Sequence, residues 1–147
     1  MKYALYPENR EQIIKAITDY LRALDDKTYQ VTITDYDTSR SAQQNRLQRK
    51  WILELASQGD MTAEQYRAHS KLHIGVPILR NENEDFKVKY DRIIRPMDYE
   101  TKLELMSVPL DFPVSRLMTV SQSQRYLTEM FNYWTGKGFI LTQPGEQ

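Results

Sequence analysis

Cysteine is absent from the 147 residues, which excludes a disulfide framework, a thiolate zinc site and cysteine-based covalent catalysis. Glycine is sparse, at five residues, and none of them forms the glycine-rich loop that cradles phosphates, so ATP hydrolysis is not expected. Neither charge is in excess: twenty Lys and Arg face twenty Asp and Glu. That balance removes the simplest nucleic-acid signature, a domain basic throughout. No apolar run approaches the roughly 20 residues that span a bilayer. The N-terminal residues lack the apolar stretch of a secretory signal. The expectation is a soluble, cytoplasmic protein that makes no use of a membrane. Internal repeats and low-complexity linkers are missing as well.

What remains is ordinary globular material, 40% hydrophobic and 27% charged, with an unusual load of ten Tyr, four Phe and two Trp. The length suits one domain over 1–147 with a real core. Residues 1–38 read as a small α/β layer. A short strand is expected over Tyr3 to Tyr6, ended by Pro7. A helix then follows from near Glu8, with Ile13, Ile14, Ile17, Tyr20, Leu21 and Leu24 at helical spacing. Tyr29 to Tyr36 alternates, placing Tyr29, Val31 and Ile33 on one face of a second strand.

Residues 39–147 read as predominantly helical. From Ala42 to Ser57, Leu47, Trp51 and Leu55 advance four residues at a time, and Gly59 offers a stop. Ser39 or Ser41 is the expected N-cap of this helix. Thr62 with Gln65 fits a capping box that opens a further helix, expected to end before Gly75-Val76-Pro77. Residues 80–85 contain no apolar side chain and predict an exposed loop. Phe86, Val88 and Tyr90 alternate with Lys87 and Lys89, predicting a short strand or extended arm. Helices are expected near Tyr99–Met106 and from about Ser121 to Thr135. The expected class is therefore α+β: a mostly helical single domain with a small N-terminal strand-helix-strand sheet packed on helices.

The one strong charge asymmetry lies in residues 39–50, where Arg40, Arg46, Arg49 and Lys50 occur without a single acid. If this segment opens a helix, Arg46 and Lys50 share a face, with Leu47 and Trp51 on the neighbouring, buried one. The helix start supplies unpaired N–H groups and a favourable dipole end for an anion. Gln44 and Asn45 both donate and accept, so they can reach sugar, phosphate or base edges. Lys71 could extend the basic surface. Exposed aromatics would stack on single-stranded bases, with Tyr36, Tyr90 and Trp134 as candidates that core burial would remove.

The run Arg40-Ser41-x-x-Gln44-Asn45-Arg46, followed by a Trp-containing helix, resembles the motif of the phage NinB (Orf) recombination proteins. A second block is similar too: Met118-Thr119-Val120-Ser121 leads into a helix that closes on Gly136-Lys137-Gly138-Phe139-Ile140-Leu141. The resemblance implies a homodimeric recombination mediator that binds single-stranded DNA. It would assist loading of a recombinase, beside the host single-strand-binding protein, in the host cytoplasm. Its DNA contacts would fall on Arg40, Gln44, Asn45 and Arg46, to which the charge pattern adds Arg49, Lys50 and Lys71. No catalytic residue, metal or cofactor is implied.

Two other readings compete. Asp85-Phe86-Lys87, with Glu82 and Glu84 upstream, would suit a metal-dependent, structure-specific nuclease if the acids were held on strands. His69 and His73 have metal-ligand spacing on a helix, yet the His-Glu-x-x-His pattern is missing and a third ligand is needed. The aromatic and acidic surfaces would alternatively suit a protein-interaction factor that inhibits a host enzyme.

Overall fold

The computed structural model describes residues 3–35 and 40–144, with residues 40 and 41 described by backbone alone. The chain packs as two compact units, Met1–Thr38 and Ser39–Gln147. Each is described by itself.

In the first unit, Pro7–Asn9 form a 3-10 turn that leads into helix α1, Arg10–Arg22. Pro7 suits that entry because its fixed φ matches a helical start and its missing N–H would have had no partner there. Asn9 locks the turn: its Oδ1 accepts from the Tyr6 N–H at 2.7 Å and its Nδ2 donates to the Ala4 carbonyl at 3.1 Å. The expected sheet is not formed. Among the described residues there is no strand, and the regular structure is all-α. Residues 3–6 and 29–35 adopt no regular secondary structure. The reason is physical. Alternation signals a strand only when one face gains cover, and here Val31 is 65% and Ile33 91% exposed. A pair of strands this short would also fall below what a sheet needs to stand alone. The expected second strand extends to Tyr36, which lies outside the described residues.

Among its described residues the second unit has six α-helices: α2 (Arg40–Gln58), α3 (Ala63–Ser70), α4 (Val76–Glu82), α5 (Glu84–Ile93), α6 (Tyr99–Met106) and α7 (Val120–Thr135). Two reciprocal caps set helix starts. Thr62 and Gln65 exchange side-chain and backbone bonds at the head of α3, as Thr119 and Gln122 do at α7. One buried cluster joins Leu47, Trp51 and Leu55 of α2 to Tyr66 of α3 and to Leu127, Met130 and Trp134 of α7. The indole N–H of Trp51 donates to the Thr142 carbonyl and that of Trp134 to Ser70 Oγ, at 2.7 and 2.9 Å. A second cluster gathers Val76, Leu79, Tyr90, Ile94, Met106 and Val114.

Two expectations fail in the middle of this unit. The helix does not stop before Gly75-Val76-Pro77. Residues Lys71–Gly75 form a π-helical turn, in which the Val76 N–H reaches back five residues to the Lys71 carbonyl, and the chain continues directly into α4. Gly75 is helical there and is needed for space. A Cβ at this position would lie 2.6 Å from Val114 Cγ1 and 2.7 Å from Tyr126 Cε2. Pro77 is the second residue of α4 and directly follows the π-helical turn, so it lies inside a continuous run of helix.

Residues 80–92 are neither loop nor arm. Asn83 alone breaks the helix, and its side chain then accepts from the Phe86 N–H to cap α5. The four-residue spacing of Phe86, Tyr90 and Ile94 prevails over the alternation of Phe86, Val88 and Tyr90. Tyr90 and Ile94 are buried, Phe86 stacks on Tyr90 at 5.4 Å, and Val88 is exposed. A bidentate pair, Arg80 to Asp91 at 2.7 and 2.9 Å, ties α4 to α5.

Candidate nucleic-acid interface

Helix α2 carries the acid-free segment, and its first carboxylate is Glu54. That group is turned to a structural task, accepting from the Thr142 N–H and hydroxyl at 3.0–3.1 Å. The helix buries Leu47 and Trp51, which leaves Asn45, Arg49 and Lys50 exposed, with Gln44 and Arg46 half-buried. The Arg40 side chain lies outside the described residues, as do the side chains of the two expected N-cap serines, Ser39 and Ser41. Arg49 and Lys50 form no ion pair with any described residue. Some cations of the unit are neutralised locally: Arg67 by Glu64 and Asp111, Arg80 by Asp91, and Arg125 by Glu82. Lys87, Lys89, Arg92, Arg116 and Lys137 are exposed and, like Arg49 and Lys50, form no ion pair among the described residues.

Lys71 belongs with the neutralised group and does not extend the basic surface. Its side chain is 3% exposed, and its ammonium donates to the Met106 carbonyl and to Asp111 Oδ1, both at 2.7 Å. The Lys71 ammonium and the Arg67 guanidinium hold the Asp111 carboxyl below its usual range. Tyr90 and Trp134, two of the three stacking candidates, are buried, and Tyr36 lies outside the described residues.

The side of α2 turned toward α7 borders an open cavity of about 240 Å³. Leu47, Trp51 and Leu127 form its apolar floor, and the amides of Gln43, Gln44 and Gln124 its rim. Gln44 Nε2 donates to Gln124 Oε1 at 2.7 Å, joining the two helices across the opening. Lys50 follows Gln43 by seven residues and Arg46 follows it by three, so both cations share the Gln43 side of the helix without lining the cavity. The α7 wall was invisible to charge and motif reasoning, because Gln124 lies eighty residues from Gln44. The only local trace of it was the Thr119–Gln122 capping pattern, which starts α7.

The acid-x-lysine segment does not take the geometry a nuclease would use. Asp85 and Lys87 lie on the first turns of a helix rather than on a strand, and Glu82 is engaged by Arg125 at 2.6 Å. Among the described residues, no group of three or more His, Asp or Glu could hold a metal ion. His69 and His73 stack on each other at 4.1 Å, and each Nε2 is hydrogen-bonded to a phenol, Tyr133 at 2.8 Å and Tyr99 at 2.9 Å. Burial, then His73 and Lys137, push His69 down to about 4. Burial, with Lys137 and Lys102, lowers His73 as well. Among the described residues, no helix is long and apolar enough to cross a membrane. Comparison with family models, with curated proteins and with solved structures finds no match for this chain.

Proposed function

We propose that this protein is a non-enzymatic accessory factor that binds single-stranded DNA through the exposed cationic face of α2. The observation that carries the reading is the absence of acids along the first half of α2. Arg49 and Lys50 are solvent-facing, pair with no described carboxylate, and lie on a helix whose first acid is Glu54. Side chains of this kind attract a phosphate backbone, and Gln44 and Asn45 beside them orient it. A second support is spatial. The two sequence blocks similar to NinB (Orf) proteins are remote in the chain, yet α2 and α7 pack together through Gln44–Gln124 and through the Trp51 and Phe131 rings at 5.5 Å.

On this reading the chain acts in phage recombination, within the host cytoplasm. It works as a homodimer that assists recombinase loading beside the host single-strand-binding protein. A neutral chain gathers modest affinity from one patch, and a dimer doubles the patch. The test is a gel-shift series with single- and double-stranded oligonucleotides across salt. Single strands are expected to shift at about 50 mM salt and to be released steeply by 200 mM. No shift at the lower salt would remove the reading.

A further inference from the structure

A row of four rings crosses the second unit. Tyr99 opens α6, His73 lies in the π-helical turn, His69 lies near the end of α3, and Tyr133 lies on α7. Neighbouring ring centroids in that order are 5.6, 4.1 and 5.8 Å apart. A lysine flanks each end. Lys102 follows Tyr99 by three residues, and the Lys137 ammonium lies 4.9 Å from the Tyr133 ring centroid. Both imidazoles titrate below their ordinary range, first through burial and then through positive charge: Lys137 acts on both and Lys102 on His73. Flat rings set among cations suit a single strand, because every base offers a face to stack and every phosphate a charge. We infer that the exposed end of this row, Tyr99 and His73, stacks an unpaired base of the bound strand. The inference rests on the single-strand reading above and adds to it a site for the base.

Exposure selects these two rings. Tyr99 is 44% exposed and His73 is exposed, whereas Tyr90 and Trp134 are buried. The polar edges of the two rings are taken, since the His73 Nε2 and the Tyr99 hydroxyl bond each other at 2.9 Å. That bond fixes the rings and leaves stacking, which uses their faces, as the interaction they offer. His69 covers one face of His73 at 4.1 Å, so a base meets the other. Position links the row to α2. Lys50, Glu54 and Gln58 lie on one line of that helix, about 12 Å long. Gln58 exchanges bonds with the Ile140 backbone at 2.7 and 2.8 Å, and Lys137 precedes Ile140 by three residues. A strand leaving Lys50 along this line is led toward the lysine that closes the row.

The test compares two strands of equal length and charge, oligothymidylate and a fully abasic backbone, by fluorescence anisotropy at about 50 mM salt. The natural protein is expected to favour the base-bearing strand on the order of tenfold. His73→Ala/Tyr99→Ala is expected to lower thymidylate binding to the abasic level and to leave abasic binding unchanged. Tyr99→Phe, which keeps the ring and deletes the hydroxyl, is expected to keep the preference, and a loss there overturns stacking. Should the alanine variant fail to fold, photo-crosslinking of an iodouracil-bearing strand to the natural protein decides. Label on Tyr99 or His73 is expected, and label confined to other residues overturns the site. Equal binding of the two strands by the natural protein overturns the stacking site and leaves the phosphate reading standing. A preference that survives in the folded alanine variant overturns it too, because the base is then read elsewhere. Binding of neither strand overturns the phosphate reading, and the stacking site with it.

Discussion

Lys71 separates what charge counting suggests from what packing does. Lys71→Met keeps the apolar stem and deletes the ammonium. The Met106 carbonyl then loses its side-chain donor inside the fold, while Asp111, 41% exposed, rehydrates and keeps Arg67 at 2.7 Å. An orphaned buried acceptor costs roughly 1–3 kcal/mol, and the surviving Arg67 pair prevents the larger loss of an isolated buried charge. With a urea m-value of about 1–3 kcal/mol/M for a small protein, the unfolding midpoint should fall by roughly 1 M with m unchanged. Single-strand affinity, measured where the variant is fully folded, should not change. The reverse pattern, an unmoved midpoint with weakened DNA binding, would refute the buried placement and return Lys71 to the interface.

Gly75→Ala sets helix propensity against space. Alanine favours a helix by about 1 kcal/mol, but its Cβ meets Val114 and Tyr126 at 2.6 and 2.7 Å, and overpacking costs roughly 1–3 kcal/mol. Thermal unfolding should move to lower temperature, and a rise would show that the contact yields. Tyr126 is 2% exposed, and its hydroxyl is buried without a hydrogen-bond partner among the described residues. Tyr126→Phe should therefore leave the melting temperature unchanged or higher, whereas a loss above about 1 kcal/mol would show that the hydroxyl is paired.

The stacked histidines predict a pH response. His69 titrates near 4 when folded, against an ordinary 6.5, so the unfolded chain binds more protons between those values. Their contribution is complete above pH 6.5 and is lost as pH falls toward 4. Asp111, Asp91 and Glu64, all lowered, lose theirs only at lower pH, below their ordinary values of 3.8 to 4.5. His69→Gln should flatten urea midpoints across pH 4 to 6.5, and an unaltered profile would contradict the assignment.

Local chemistry was legible in the sequence and remote packing was not. Thr62–Gln65 announced the start of α3, and the Leu47–Trp51–Leu55 spacing announced the buried side of α2, because both signals lie within a few turns of chain. The alternation over Tyr29–Tyr36 predicts a strand that residues 29–35 do not form, because alternation is silent about whether a covering face exists and Ile33 lies in solvent. The α5 segment was misread because Phe86 and Tyr90 satisfy both a two-residue and a four-residue period. Ile94, buried in the second cluster, decides between them. The π-turn through Gly75 answers to Tyr126 on a distant helix, which no neighbouring residue discloses. The cationic half of the candidate site was visible as a run without acids. The amide wall on α7 and the burial of Lys71 beside Asp111, forty residues away, depend on the tertiary fold.

The claim that the exposed face of α2 captures phosphate reduces to two side chains and one slope. Each phosphate neutralised on a single strand contributes about 0.7 to the fall of log affinity with log salt. The Arg49→Ala/Lys50→Ala protein, with its fold verified by its urea midpoint, should therefore bind single-stranded DNA more weakly, with a slope flatter by about 1.4. Equal slopes and equal affinities for the natural and doubly substituted proteins would contradict it.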